Sequence, residues 1–174
     1  LEASDTVTRN YTVRATGVDG ETVDQVVTIT INGTEDAPTI SGTAVGTVTE
    51  DGTATVGGTL TAADVDTADN SHTYAINGAN PTDYGTFSVN STTGVWSFTL
   101  NNSAAQGLEA SDAVTRNYTV RATGVDGETV DRVVTITING TEDAPTISGT
   151  AVGTVTEDGT ATVGGTLTAS DVDT

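Results

Sequence analysis

Apolar and polar residues alternate with a period of two along most of this chain. In VTRNYTVRAT the positions Val7, Arg9, Tyr11, Val13 and Ala15 share one face, and Thr and Asn take the other. The turn VDGE follows, and TVDQVVTITING runs back with Val27, Ile29 and Ile31 in register. That pattern predicts an antiparallel hairpin closed by a glycine-containing turn. GTFSVNSTTGVWSFTLN predicts a second hairpin, in which Phe87 and Val89 answer Trp96, Phe98 and Leu100. TISGTAVGTVTE, TATVGGTLTA and HTYAING supply three more short strands. No segment of ten or more residues holds the period of an amphipathic helix. About seven strands at this spacing predict an all-β fold, an antiparallel sandwich of immunoglobulin-like size.

A long internal repeat sets the domain organisation. Residues 1–67 recur as residues 108–174, an offset of 107, with 64 of 67 positions identical. The three differences are Thr6/Ala113, Gln25/Arg132 and Ala63/Ser170. A period of about 107 residues is one domain per repeat, not a solenoid unit. Pro38 and Pro145 each follow INGTEDA, where the chain leaves a strand, and proline cannot continue a central ladder. The expected division is therefore a C-terminal part of a repeat at 1–37, a complete repeat at 38–144 and an N-terminal part of the next at 145–174. Such a segment is expected to be a window on a longer tandem array, or to have its partial ends completed by neighbouring chains.

Composition changes the picture in three ways. The 24 acidic residues face five basic ones, all Arg, for a formal charge of −19. That charge disfavours nucleic acid and anionic membranes as partners, and no apolar stretch approaches the roughly 20 residues of a membrane span. The absence of Cys removes disulfides, thiolate chemistry and cysteine zinc sites. One Trp, two Phe and four Tyr leave a core built mostly from small aliphatics. Residues 38–144 hold 13 acids against 3 Arg, so the domain repels itself and needs a source of positive charge.

The acids gather at strand ends, in TEDG (Glu50, Asp51), DVDTADN (Asp64, Asp66, Asp69, Asn70), LEASD (Glu109, Asp112), VDGE (Asp126, Glu128) and NGTEDAP (Glu142, Asp143). Following the strands up and down places DVD and VDGE at the end facing the preceding linker. TEDG and LEASD fall at the end facing the following one. The first linker then collects Glu2, Asp5, Glu35 and Asp36 with Asp64, Asp66, Asp126 and Glu128. The second collects Glu50, Asp51, Glu109, Asp112, Glu142 and Asp143 with Asp171 and Asp173. Ca²⁺ takes 6–8 oxygen ligands from carboxylates and carbonyls, and one to three ions per junction would relieve the repulsion. The alternative is a set of solvated turn acids, since Asp and Gly are ordinary turn residues.

INGTEDAP, TEDG, GGTLTAADVD, YGTFSVNSTTGVWSFTLNN and VVTITINGTEDAP together resemble VCBS-type repeats, across the whole chain and in the same order. The resemblance implies a cadherin-like extender module of a giant bacterial adhesin of the RTX-like, type I-secreted kind. It further implies that Glu142 and Asp143 match the linker ligands, Asp64 and Asp66 the D-x-D pair, and Glu50 and Glu109 the lower acids. TEDAP stands where the family has a TNDAP-like run, so Glu35 and Glu142 are the ligands the resemblance supports least.

Catalysis has little to work with. His72 is the only imidazole, in the exposed-looking run DNSHTY, and nothing resembles a nucleophile elbow. Trp96 lies in an alternating strand, which predicts core packing and not a sugar-stacking platform. The expectation is a non-enzymatic structural extender at the bacterial cell surface, stiffened by Ca²⁺ and serving attachment or biofilm formation. Its partners would be neighbouring repeats of the same polypeptide or identical chains, with any glycan or cell-surface partner held by regions outside this segment. The alternatives are a glycan- or partner-binding module, and a fibre subunit completed by strands from neighbouring chains.

Overall fold

The computed structural model describes residues 1–66, 71–159 and 161–173. Among these, twelve strands and one helical turn are present. Strands β1 (Thr6–Thr16) and β2 (Thr22–Asn32) form the first hairpin. The central unit contains β3 (Thr39–Gly42), β4 (Val45–Thr49), β5 (Thr55–Ala63), β6 (Thr73–Ile76), β7 (Gly85–Val89) and β8 (Val95–Leu100). After the turn α1 (Asn102–Ala105) come β9 (Ala113–Thr123) and β10 (Thr129–Asn139). A last pair, β11 (Thr146–Gly149) and β12 (Leu167–Ser170), follows.

The central strands divide into two four-stranded sheets, β4-β10-β9-β6 and β3-β5-β8-β7. Neighbours are antiparallel except β4, which runs parallel to β10 from Val45↔Thr135 to Thr49↔Asn139. The period-two alternation turns one side of each sheet inward. Val48, Leu60, Phe98, Tyr118, Val120, Val134, Ile136 and Ile138 are all at most 1% exposed. The few aromatics stand at the centre. Phe87 stacks on Tyr118 at 4.4 Å and on Trp96 at 5.8 Å between ring centroids. Trp96 is 1% exposed and donates its indole N–H to the Thr43 carbonyl at 2.7 Å, which settles it as core.

Two local expectations need correction. TISGTAVGTVTE, read as one strand, is divided between the sheets, β3 joining β5 and β4 joining β10. Gly42 makes the crossing with φ +110°, and a Cβ there would lie 2.2 Å from the Thr59 carbonyl oxygen. Only glycine combines that backbone angle with that approach. His72 is half-buried, not exposed, and its Nε2 is a buried atom without a hydrogen-bond partner. Asp69 and Asn70 of the DVDTADN run lie outside the described residues.

Identical sequence meets two environments. Tyr118, Val120 and Val134 are at most 1% exposed, whereas their counterparts Tyr11, Val13 and Val27 are 58%, 56% and 41% exposed. The hairpin register is the same in both copies. What differs is the facing sheet, which β9 and β10 have and β1 and β2 lack among the described residues. Among the described residues, no helix is long and apolar enough to cross a membrane.

Candidate metal centre

The acids converge where the central unit meets the segment that follows it. Glu50 follows β4, whose parallel pairing to β10 carries it beneath the linker, where its N–H donates to the Asn139 carbonyl at 3.0 Å. The residue is 0% exposed. Its Oε1 accepts from Gln106 Nε2 at 2.8 Å and its Oε2 from the Thr141 N–H at 3.3 Å. Asp51 adopts the left-handed region, φ 51°, which short polar side chains tolerate. Its N–H donates to Asn102 Oδ1 at 2.9 Å, and its Oδ1 accepts from Asn102 Nδ2 and from Gln106 Nε2.

Across the linker, the Asp143 N–H donates to Asp173 Oδ2 at 2.7 Å, and the Asp173 N–H to Asp171 Oδ1 at 3.3 Å. Asp143 Oδ2 and Asp173 Oδ1 are buried without a hydrogen-bond partner. Burial, and then the charges of Asp51 and Asp173, push the Asp143 carboxyl above the ordinary carboxylate range. Burial first, opposed by the Thr141 N–H, pushes Glu50 up as well, with Asp143, Asp51 and Asp173 adding repulsion. These shifts place Glu50, Asp51, Asp143, Asp171 and Asp173 in one electrostatic neighbourhood.

The first linker builds a second cluster. One carboxylate oxygen from each of Glu35, Asp126 and Glu128 lies within 4.8 Å of the others. Glu35 is pushed up to about 7, chiefly by a hydrogen bond with Asp126, then by desolvation and the like charges of Asp126 and Glu128. Beside it, Asp66 is 3% exposed, with Oδ1 3.1 Å from the Leu1 ammonium and Oδ2 buried without a hydrogen-bond partner. The D-x-D spacing folds the loop on itself, since the Asp66 N–H donates to Asp64 Oδ1 at 2.9 Å. Asp5 and Asp36 also act on the Leu1 ammonium, after Asp66, and so face the same region.

The LEASD turns are brought to each linker by backbone contact. The Asp5 N–H donates to the Glu2 carbonyl, the Asp112 N–H to the Glu109 carbonyl, and the Gly140 N–H to the Asp112 carbonyl. A Cβ on Gly140 would stand 2.4 Å from the Glu109 carbonyl oxygen, so glycine permits the approach. The Glu109 and Asp112 side chains are exposed, and so is Glu142. Residues 145–174 contain no VDGE motif for Glu142 to meet, whereas Glu35 has Asp126 and Glu128.

Asn102 and Gln106 are polar partners of the acids that the sequence reading missed. Their signal is the polar, alanine-bearing run NNSAAQ between β8 and LEASD, which forms α1 and turns both amides toward Glu50 and Asp51. The arginine ion pairs lie elsewhere. Arg14, Arg116 and Arg121 pair with Asp24, Asp83 and Asp131, and each guanidinium holds its partner carboxyl below the usual range. Hard oxygen donors, orphaned buried carboxylate oxygens and mutual repulsion together fit a divalent cation such as Ca²⁺.

The family description "Bacterial cadherin-like domain" matches residues 35–140. No curated protein matches the chain. Among solved structures, PcdhgB3 EC1-4 superposes with a TM-score of 0.50 at 14% identity, covering 98% of this chain and 50% of that one. Protocadherin Gamma B2 extracellular cadherin domains 1–5 gives 0.44 at 16% identity, over 98% of this chain and 40% of that one. The chain thus spans half the length of the first. At 14% identity that likeness concerns the fold alone.

Proposed function

From the premise that the chain belongs to the bacterial cadherin-like domain family, we propose that it is an extracellular extender module stiffened by Ca²⁺ at its linkers. The single observation that carries this reading is the junction of Asp143 with Asp173, where two buried carboxylate oxygens lack hydrogen-bond partners above the buried Glu50. Unfilled, such a junction is self-repelling. A bound Ca²⁺ would supply the missing positive charge and a shared coordination sphere between successive units.

Within this reading Glu50, Asp51, Asp143, Asp171 and Asp173 hold one junction, and Glu35, Asp36, Asp64, Asp66, Asp126 and Glu128 the other. Glu2, Asp5, Glu109 and Asp112 border them through the LEASD turns, and Glu142 faces the next unit along. The division at residues 37/38 and 144/145 belongs to the same proposal. So does a place in a VCBS-type, type I-secreted adhesin at the bacterial surface, with attachment or biofilm formation as its service. The domain acts there as a spacer and not as an enzyme. Extracellular Ca²⁺ modules bind at about 10⁻⁴–10⁻³ M, so the array would be limp before export and rigid outside.

Small-angle scattering and thermal melting with millimolar CaCl₂ or EGTA test the proposal. The expected result is a straighter, more heat-resistant protein with Ca²⁺. Unchanged scattering and unchanged melting would refute it.

A further inference from the structure

We infer that Asn77 is a self-modifying site, at which the side-chain amide is lost to attack by the Gly78 backbone nitrogen and a carboxylate takes its place. An Asn or Asp followed by Gly is the setting for this chemistry, because glycine has no Cβ to keep its nitrogen away from the preceding side chain. The chain contains seven such pairs, three Asn-Gly and four Asp-Gly. In six of them the glycine N–H is tied to a backbone carbonyl. Gly20 donates to Gly17, Gly33 to Asp5, Gly52 to Thr49, Gly127 to Gly124, Gly140 to Asp112 and Gly159 to Thr156. Among the described residues, Gly78 alone of the seven donates to nothing.

Space separates the three Asn-Gly pairs further. A Cβ on Gly33 would lie 2.1 Å from the Glu2 carbonyl oxygen, and one on Gly140 2.4 Å from that of Glu109. On Gly78, with φ +92°, a Cβ would meet nothing within 4 Å. Asn32 and Asn139 end β2 and β10 and are held in their ladders opposite Thr6 and Ala113. Asn77 has already left β6, and Gly78 is exposed. The peptide plane between Asn77 and Gly78 is therefore free to turn, and the other two are not.

The Gly78 nitrogen gives its proton to a solvent base and bonds to Asn77 Cγ. The Cγ–Nδ2 bond breaks, and Nδ2 leaves as ammonia after taking a proton from water. Water then opens the cyclic imide at either carbonyl. One opening yields aspartate, and the other an isoaspartyl link that lengthens the backbone through the side chain. No oxidant or reductant is needed. Asn77 Nδ2 donates to Asp131 Oδ2 at 3.0 Å, and Asp131 is itself paired with Arg121. That bond reaches from the end of β6 across β9 to β10, and by holding the amide it brakes the reaction. The product sets a carboxylate against Asp131 where a donor had been, and adds a negative charge to a chain already at −19. The tie at the β6 edge of the sheet is then lost.

The sequence supplies its own control, because all three pairs read Ile-Asn-Gly. The full 174-residue chain is incubated at mildly alkaline pH, folded or in urea, then cleaved after glutamate and read by fragment-ion mass spectrometry. That cleavage puts Asn32, Asn77 and Asn139 on three different peptides. In urea the three should lose ammonia at matching rates. In the folded chain Asn77 should outpace each of the others at least about tenfold. That ratio is the rate equivalent of ~1.4 kcal/mol, the size of the hydrogen bond their glycines must give up. Asp131→Ala releases the Asn77 amide and should quicken its loss while leaving Asn32 and Asn139 as they were. Equal rates in the folded chain, or Asn139 ahead of Asn77, would overturn the inference. Asn77 belongs to neither acid cluster, so the result stands apart from the metal proposal.

Discussion

Replacing Glu50 by Gln isolates the charge at the junction from its hydrogen bonds. The side chain is 0% exposed, accepts from Gln106 Nε2 at 2.8 Å and from the Thr141 N–H at 3.3 Å, and is pushed upward in pKa chiefly by burial. A glutamine of the same shape can keep both bonds. Its carbonyl accepts from Thr141, and its NH₂ donates to Gln106 once that amide turns over, which gives up only the exposed 3.3 Å bond from Gln106 to Asp51. In EGTA the variant therefore melts at or above the parent temperature, because a desolvated charge has been removed. In Ca²⁺ the order reverses. With a Kd of about 10⁻⁴–10⁻³ M, 10 mM Ca²⁺ contributes about 1.4–2.7 kcal/mol per site through mass action. For a unit of this size that is roughly 6–20 °C of melting temperature, and Glu50→Gln should forfeit most of it. Differential scanning calorimetry of both proteins in both buffers gives the four temperatures. Equal calcium increments in parent and variant, or a variant several degrees less stable in EGTA, would refute the reasoning. Glu50→Ala is the contrast, losing stability in both buffers because Thr141 and Gln106 are left with unmet donors.

Other consequences can be measured independently. Without metal, stability should fall as pH rises from about 4.5 to about 7, because Glu35 moves from 4.5 to about 7 on folding and the native state binds the extra proton. Glu50 and Asp143 are raised and act in the same direction, whereas Asp24, Asp83 and Asp131 are lowered and withdraw stability below about pH 3.8. Melting in EGTA should thus peak near pH 4, and a flat or rising profile toward neutrality would contradict the clusters. Trp96→Ala should cost about 3–5 kcal/mol, since the ring is 1% exposed and stacked on Phe87, and urea unfolding followed by circular dichroism reads the loss.

The hairpins were legible in the sequence because Tyr118, Val120, Val134 and Ile136 alternate with polar residues on strands long enough to fix the register. Repetition helped, since the same alternation occurs twice. The division of TISGTAVGTVTE was not legible, because its cause is a contact between Gly42 and the Thr59 carbonyl, two strands away. Counting strand directions alone was enough to expect Glu35 near Asp126 and Glu128, and Asp143 near Asp173. The amide partners of the acids did not follow, because Asn102 and Gln106 reach Glu50 and Asp51 only through a single helical turn too short to leave a period. The departure TEDAP argued against Glu35 as a ligand, yet Glu35 sits with Asp126 and Glu128. A carboxylate in place of an amide adds charge without moving the oxygen.

The parallel rungs between β4 and β10 set how the unit meets tension. The chain passes through β3 into β4 and leaves from the end of β10, so opposite pulls on Val45 and Asn139 would drag β4 and β10 in opposite directions along their shared axis. Their five paired positions are loaded together in shear, and none can open ahead of the rest as the rungs of a peeled hairpin do. A tether made of such units would hold its length until several hydrogen bonds yield at once.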